Sequence, residues 1–367
     1  MSNVILDKAI LVLYYSVTGH TIILALLNLI EVLALPRSRV TIRDVATHAG
    51  VSYQTVSRVI NHSERVRPET RKQVEAVIKK LDYRPSRLAQ SMVTQKTRTI
   101  GLVVADITNP FYFEVARGVQ DTALAQAYNV FVCNTDDNPQ GEHDILALLA
   151  SQEVDGVILS TASSSDDELL AFAENYKPLV VINRDIDHPK ASLVNVDICK
   201  GAKLAIEHLI ERGHTRIAML SHGGHLPDTV RRVTGYRETL VGHGITPRDE
   251  WLVLAAPNLM GGYEAAQELL GKYPEITAIF AYNDLMAIGA LRGCHDMGLR
   301  VPQDCAVMGF DDIKFSAMTQ PSLSSISFDK YAVGQKAMLR LLEMIEEPDV
   351  IYESIRLDVG LIIREST

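Results

Sequence analysis

Two sets of residues in this chain have the types and spacing to do chemistry. The first lies near the front. Tyr53, Gln54, Ser57 and Arg58 recur at helical spacing, opposite Val56, Val59 and Ile60. A glutamine amide can pair bidentately with adenine and an arginine fork with guanine, while tyrosine offers a hydroxyl and an apolar ring edge. Thr41, Ser52, Ser57 and Asn61 can donate to phosphates, which position a protein on DNA without reading sequence. Thr55 belongs to the same stretch. Such a face suits the major groove of double-stranded DNA. A small solvated module that binds protein is the competing reading.

The second set sits at the ends of apolar runs. Asn109, Pro110, Phe111 and Tyr112 follow TIGLVVADI, and Arg184 follows PLVVIN. Arg232 comes after TRIAMLSH, Asn283 and Asp284 after TAIFAY, Asp311 after CAVMGF, and Phe328 stands near a late crossing segment. Asp and Asn suit vicinal hydroxyls, an arginine can fork across two oxygens, and a ring can cover the apolar face of a sugar. Each also has a plainer reading: Asp and Asn after strands often cap the next helix, and Phe328 can simply be core. No GxGxxG, GxxxxGK[ST], HExxH or GxSxG occurs, so no cofactor and no enzymatic activity are expected. His222 and His225 have metal-compatible spacing, but only Asp228 stands nearby as a further ligand, so a loop is expected rather than a metal site.

These residues need elements to hold them. Thr41 to Asp44 reads as a capping box, with Ile42, Val45, Ala46 and Ala49 on one stripe. Gly50 permits the bend, and Ser52 can cap a second helix running to about Ile60. Arg67-Pro68-Glu69 opens a third, with Val74, Val77, Ile78 and Leu81 inward. Three such helices can share one small core. From Thr99 the rhythm changes to TIGLVVADI, NVFVCNT, VDGVILST, PLVVINRD, TRIAMLSH, WLVLAA, TAIFAYND and CAVMGFDD, most of them separated by helical stretches. Strands apolar throughout, alternating with helices, point to parallel sheets covered on both faces. So many units exceed one comfortable sheet, and two doubly wound lobes are expected, with ligands beyond the carboxyl ends of the strands.

Charge divides the chain of 367 residues in the same way. Residues 37–98 hold 14 Lys and Arg against 5 Asp and Glu, whereas the whole chain is at −9. A basic module joined to an acidic body suggests that the former meets a polyanion. Cys133, Cys199, Cys294 and Cys305 are scattered and read as reduced thiols. Ala9 to Ile30 carries no charged residue and is long enough to span a bilayer. A translation start placed upstream of the working protein, a membrane anchor, or an extra packing segment would each account for it. The first is expected, because everything after Arg37 reads as a complete soluble protein. The boundaries expected are an extension over 1–36, a helix-turn-helix domain over 39–82, a hinge over 83–98 and a core over 99–367. In the core, 99–196 and 327–350 form one lobe, and 197–326 and 351–367 the other.

Two stretches carry a specific resemblance. TIRDVATHAGVSYQTVSRVINHSERVRPETRKQVEAVIKKLDYRPSRLAQSM resembles the DNA-binding head of the LacI/GalR family of bacterial transcription regulators. ITNPFYFEVARGV, VDGVIL, GHTRIAML, Arg232-Val-Thr-Gly-Tyr, YNDLMAIG and MGFDD resemble that family's body, so the likeness runs from Arg39 to Arg364. It implies a three-helix head on a core like the periplasmic binding proteins. It implies that Tyr53, Gln54 and Arg58 read base edges, two subunits together reading a pseudo-palindromic operator. It implies a hinge that folds on DNA and wedges an apolar side chain into the minor groove; the matching position is Met92, where many members carry Leu, with Ala89 as its small neighbour. It implies that Phe111, Arg232, Asn283 and Asp311 line an effector cleft, with Arg184 and Asp284 as further candidates. Near Asn258, where some sugar-responsive members carry an aromatic, none stands here. The effector expected is a sugar or sugar phosphate, with a purine or nucleoside as the alternative. Without a leucine heptad tail, a homodimer is expected rather than a tetramer. The function expected is a cytoplasmic, nucleoid-associated repressor whose operator affinity a ligand controls. The alternative is a solute sensor tethered by residues 9–30, with no role on DNA.

Overall fold

The computed structural model describes residues 40–61, 66–84, 91, 96–160, 164–176, 178–184, 186, 190–223 and 226–367. The extension over 1–36, Ala89, Met92 and His225 lie outside the described residues. Among the described residues no helix is long and apolar enough to cross a membrane. The chain divides into two compact units near residue 93.

The first unit holds three helices: α1 (Ile42–His48), α2 (Tyr53–Asn61) and α3 (Pro68–Lys80). The capping box forms as the sequence suggests. The Thr41 hydroxyl accepts from the Asp44 N–H, and the Asp44 carboxylate accepts from the Thr41 N–H at 2.8 Å, which keeps that carboxyl below its ordinary range. Gly50 takes φ +61°, which L side chains rarely adopt, and so makes the turn between α1 and α2. The Ser52 hydroxyl accepts from the Thr55 N–H and starts α2. Val45, Ala46, Ala49, Val56, Val59 and Val74 are buried together. Gln73 of α3 donates to the Ala49 carbonyl at 3.0 Å and ties the third helix to the end of the first.

The second unit is built on two six-stranded sheets. Lobe 1 contains β1 (Thr99–Val104), β2 (Asn129–Asn134), β3 (Gly156–Ser160), β4 (Leu179–Ile182), β5 (Ala191–Val196) and β11 (Ile355–Leu357), in the order β11-β5-β4-β3-β1-β2. Lobe 2 contains β6 (Ile217–His222), β7 (Leu252–Ala255), β8 (Ala278–Ala281), β9 (Ala306–Asp311), β10 (Ser324–Ser327) and β12 (Gly360–Ile362), in the order β12-β10-β9-β8-β6-β7. All pairs are parallel except β10 with β12. The chain therefore passes between lobes three times: after β5, after β10 and after β11.

Two expectations are corrected here. Residues 351–367 do not belong wholly to lobe 2: β11 pairs with β5, Ile355 opposite Val194, and covers an edge that would otherwise expose unpaired backbone groups. Not every strand is covered on both faces either. β2 is an edge strand, and its Phe131 and Val132 are exposed.

Helices α4 (Pro110–Ala125), α5 (Pro139–Ser151) and α6 (Asp166–Asn175) belong to lobe 1, together with α11 (Lys330–Glu346). Helices α7 (Ile198–Glu211), α8 (Pro227–Gly242), α9 (Leu259–Lys272) and α10 (Asp284–Asp296) belong to lobe 2. Backbone meets backbone where α4 crosses α11. A methyl group on Gly118 would overlap the Tyr331 carbonyl, and one on Gly334 the Val115 carbonyl. Gly118→Ala is therefore expected to cost roughly 1–3 kcal/mol in urea unfolding. Gly271→Ala, on α9 with nothing near the added carbon, is expected to be neutral or stabilising by up to about 1 kcal/mol. Equal effects of the two would contradict the close crossing.

Candidate functional site

On α2 the inward and outward faces separate cleanly. Val56 and Val59 are buried, whereas Tyr53, at 56% exposure, projects outward and Gln54 and Arg58 are exposed. Ser57 is half-buried, and its hydroxyl accepts from the Asn61 amide at 3.3 Å. The hydroxyls of Thr41, Ser52 and Thr55 take part in capping: Thr41 donates to Asp44 at 2.7 Å, and Ser52 and Thr55 share a hydrogen bond of 2.9 Å. The three side chains free of such duties, Tyr53, Gln54 and Arg58, have the chemistry to read base edges.

Between the lobes of the second unit lies a cavity of about 560 Å³. Its walls come from the carboxyl ends of strands in both sheets, where a doubly wound fold places its ligands. Lobe 1 contributes Asp106 after β1, Asp136 and Asp137 after β2, and Thr108, Asn109 and Tyr112 around the start of α4. Lobe 2 contributes His222 at the end of β6, Asn258 after β7, and Tyr282 and Asn283 after β8. Across the mouth, His222 Nε2 is 3.8 Å from an Asp137 carboxylate oxygen. Burial lowers the imidazole's proton affinity and raises that of the carboxyl.

Tyr282 joins this cavity to a buried charge cluster. Its ring lies 4.1 Å from the Arg232 guanidinium carbon, and the Phe310 ring lies 4.2 Å from it. Arg232 is 5% exposed, and its Nη2 is 3.8 Å from the Asp311 carboxylate. Its Nε and Nη1 are buried without a hydrogen-bond partner among the described residues. Burial pushes Asp311 up to about 7 and Asp228 up to about 6, against the pull of Arg232. Phe328 lies 6.0 Å from Phe111 and 6.2 Å from Phe310. The structure thus gathers Phe111, Arg232, Asp311 and Phe328 into one aromatic and charged cluster, with Asn283 on the adjoining cavity wall.

Asn283 is also engaged locally: it accepts from the Met286 N–H and donates to the Pro257 carbonyl, both at 2.9 Å. Arg184 is buried and paired with Asp166 at 2.8 Å, and its charge favours the ionised form of Asp228 in the same charge cluster. The reading of Asp284 as an effector contact is corrected. Its fully buried carboxylate accepts from the Ile313 N–H at 2.8 Å and from the Ser316 and Ser325 hydroxyls at 2.6 Å, so its oxygens are spent on lobe 2 itself. Sequence reasoning missed Asp106, Asp136, Asp137 and Tyr282 as site residues. All four stand at or just past the ends of apolar runs, the same signal that marked the others. Among the described residues, no three His, Cys, Asp or Glu side chains form a group able to hold a metal ion.

A titration follows from the raised Asp311. A carboxyl held neutral by the fold contributes stability below the unfolded value near 3.8, and this is lost as pH rises towards about 7. Asn cannot ionise. The stability of Asp311→Asn relative to wild type is therefore expected to rise between pH 5 and 8, by on the order of 2 kcal/mol, in denaturant unfolding at each pH. A pH-independent difference would contradict the assignment.

Comparison with known proteins fits both units. Residues 41–86 match the bacterial regulatory proteins of the lacI family, and residues 97–362 match the periplasmic binding proteins and sugar binding domain of LacI family. The chain is 34% identical over 331 residues to catabolite control protein A of Priestia megaterium, covering 89% of this chain and 99% of that protein. It is 34% identical over 327 residues to the HTH-type transcriptional repressor PurR of Mannheimia succiniciproducens, covering 89% and 98%. Among solved structures it is similar to the lac repressor dimer bound to operator and the anti-inducer ONPF, with TM-score 0.81, 28% identity and coverage of 90% and 99%. The helix-turn-helix head, the two parallel-sheet lobes and these likenesses lead to one conclusion: the chain belongs to the LacI family of bacterial transcription regulators.

Proposed function

We propose that this protein is a homodimeric cytoplasmic repressor whose hold on a pseudo-palindromic operator is set by an uncharged sugar-class molecule in the cleft between its lobes. The observation that carries the reading is Arg232. A guanidinium buried between two rings, with two unsatisfied donor atoms beside a cavity, is incomplete without a polar ligand. Hydroxyl oxygens would meet those donors, and hydroxyl hydrogens would meet Asp311. Tyr112 and Tyr282 offer rings for the apolar face of a sugar.

The lining also speaks to ligand charge. Among the described residues Asp106, Asp136 and Asp137 line the cavity, and the one cation offered to the ligand, Arg232, lies behind Tyr282 with Asp311 and Asp228 beside it. A phosphorylated sugar or a nucleotide would have to place its anion among carboxylates, so a neutral polyol is favoured over its phosphate.

On DNA, Tyr53, Gln54 and Arg58 of each subunit would read one half-site, with Thr41, Ser52, Thr55, Ser57 and Asn61 near the phosphates. Ala89 and Met92 of the hinge remain part of the proposal through the family likeness alone. Dimer formation is supported by apolar side chains left exposed on the single chain, among them Phe131 and Val132 on β2 and Met260, Phe315 and Met318 in lobe 2. Ligand binding would shift the lobes between two arrangements and change operator affinity by its differential affinity for them.

Two experiments test this. In gel shifts, palindromes with half-sites like those of the lac operator are expected to bind at least about 10³-fold better than scrambled duplexes. Equal binding of both would remove the operator assignment. In a thermal-shift panel, neutral pentoses, hexoses or disaccharides are expected to raise the melting temperature while their phosphates do not. A shift produced by the phosphates alone would overturn the ligand class.

A further inference from the structure

Lys330 is a buried cation to which the reading above gives no role. It is the first residue of α11, which packs on lobe 1, and it is 4% exposed. Its ammonium does not turn to solvent. It donates to the carbonyl of Asp311, to that of Asp312 at 3.1 Å and to that of Phe328 at 3.5 Å, and it lies 5.5 Å from the Phe328 ring centroid. All three ammonium hydrogens thus have main-chain acceptors.

Two of those acceptors belong to strained residues. Asp311 has φ +104° and Asp312 φ +50°, successive non-glycine residues in a region that L side chains rarely adopt. Such conformations persist only where the surroundings over-determine them, and they cluster at functional sites. Lobe 2 holds the far side of this bend through its own groups. The Asp312 N–H donates to Ser325 at 3.0 Å, the Asp312 carboxylate pairs with Arg364 at 2.7 Å, and the Ile313 N–H donates to Asp284. The near side is held by Lys330, which arrives from the other lobe across the β10 to α11 crossing.

We infer that Lys330 is a positioning residue of the effector site, a strap from lobe 1 that fixes the strained Asp311 backbone of lobe 2 and so aims its carboxylate at Arg232. The inference rests on the cleft being the effector site. A sugar that engages Asp311 would thereby act on α11, and through it on α4, which α11 crosses at Gly118 and Gly334. The groups facing Asp311 are Arg232 and Asp228 from α8, Asp284 from α10 and Lys330 from α11. Of the two cations, Lys330 alone comes from lobe 1.

The test uses the full chain with K330M, which keeps length and loses charge and donors, and K330R, which keeps both. In K330M, hydrogen exchange of the Asp312 and Ile313 amides is expected to speed up at least about ten-fold, with the β6 and β8 amides unchanged. The midpoint of the pH-dependent stability change assigned to Asp311 is expected to move up by about half a unit or more, because a facing cation is gone. K330R is expected to restore both. Wild-type exchange or a wild-type midpoint in K330M, or a loss that K330R does not mend, overturns the strap. Should K330M fail to fold, K330Q decides by the same midpoint: an upward shift supports the strap, and an unmoved midpoint overturns it. These readouts need no ligand. A wild type whose melting temperature no sugar in the panel raises would sink the ligand reading while leaving the strap measured.

Discussion

The arrangement of the second unit depends on a guanidinium buried without enough compensation. Removing a charge from water costs several kcal/mol unless hydrogen bonds and opposite charge make up for it. Arg232 has two rings, each adding about 0.5–2 kcal/mol, and a carboxylate at the long distance of 3.8 Å. Asp311 and Asp228, its acidic neighbours, are themselves pushed towards neutrality by burial. The cluster is therefore short of acceptors for its nitrogens. A fold evolved for stability alone would place an apolar side chain there. One that must respond to a molecule of hydroxyls would leave the deficit for that molecule to fill.

Topology explains why the deficit lies at a lobe boundary. In each sheet the parallel strands end on the side that faces the cleft, so Asp106 and Asp137 of lobe 1 come to face His222 and Asn283 of lobe 2. Three crossings join the lobes, and they carry the groups that would move: Phe328 and Lys330 follow the second crossing. Closely packed helix pairs such as α4 with α11, backbone on backbone, shift as units rather than deform. That is the property a two-state response needs.

Much of this was legible in the sequence, and the failures are instructive. The head was readable because its signals are local: the Thr41 to Asp44 box, Gly50 at the bend, and buried Val56 and Val59 on the face opposite exposed Tyr53 and Arg58. Eight apolar runs became eight strands. SSIS carries no apolar run to mark it as a strand, three of its four residues being serine. In the fold, Ser324 and Ser325 are buried, and their hydroxyls are met by Thr367 and Asp284, some forty residues away in sequence. β11 has only three residues and no apolar run of its own. Asn283 and Asp284 are adjacent polar residues after one strand, and nothing local says which faces the cavity. Only the partners brought in by distant segments separate them.

The central claim is that Arg232 is where a small molecule is sensed and that this is felt on DNA. The direct measurement is operator affinity by fluorescence anisotropy on the full chain, with and without a saturating neutral sugar that raises its melting temperature, for wild type and for Arg232→Met. The account expects the sugar to change wild-type affinity by roughly 5–150-fold and to leave the Arg232→Met protein, still folded and still bound to operator, without response. The same response in both proteins would contradict it.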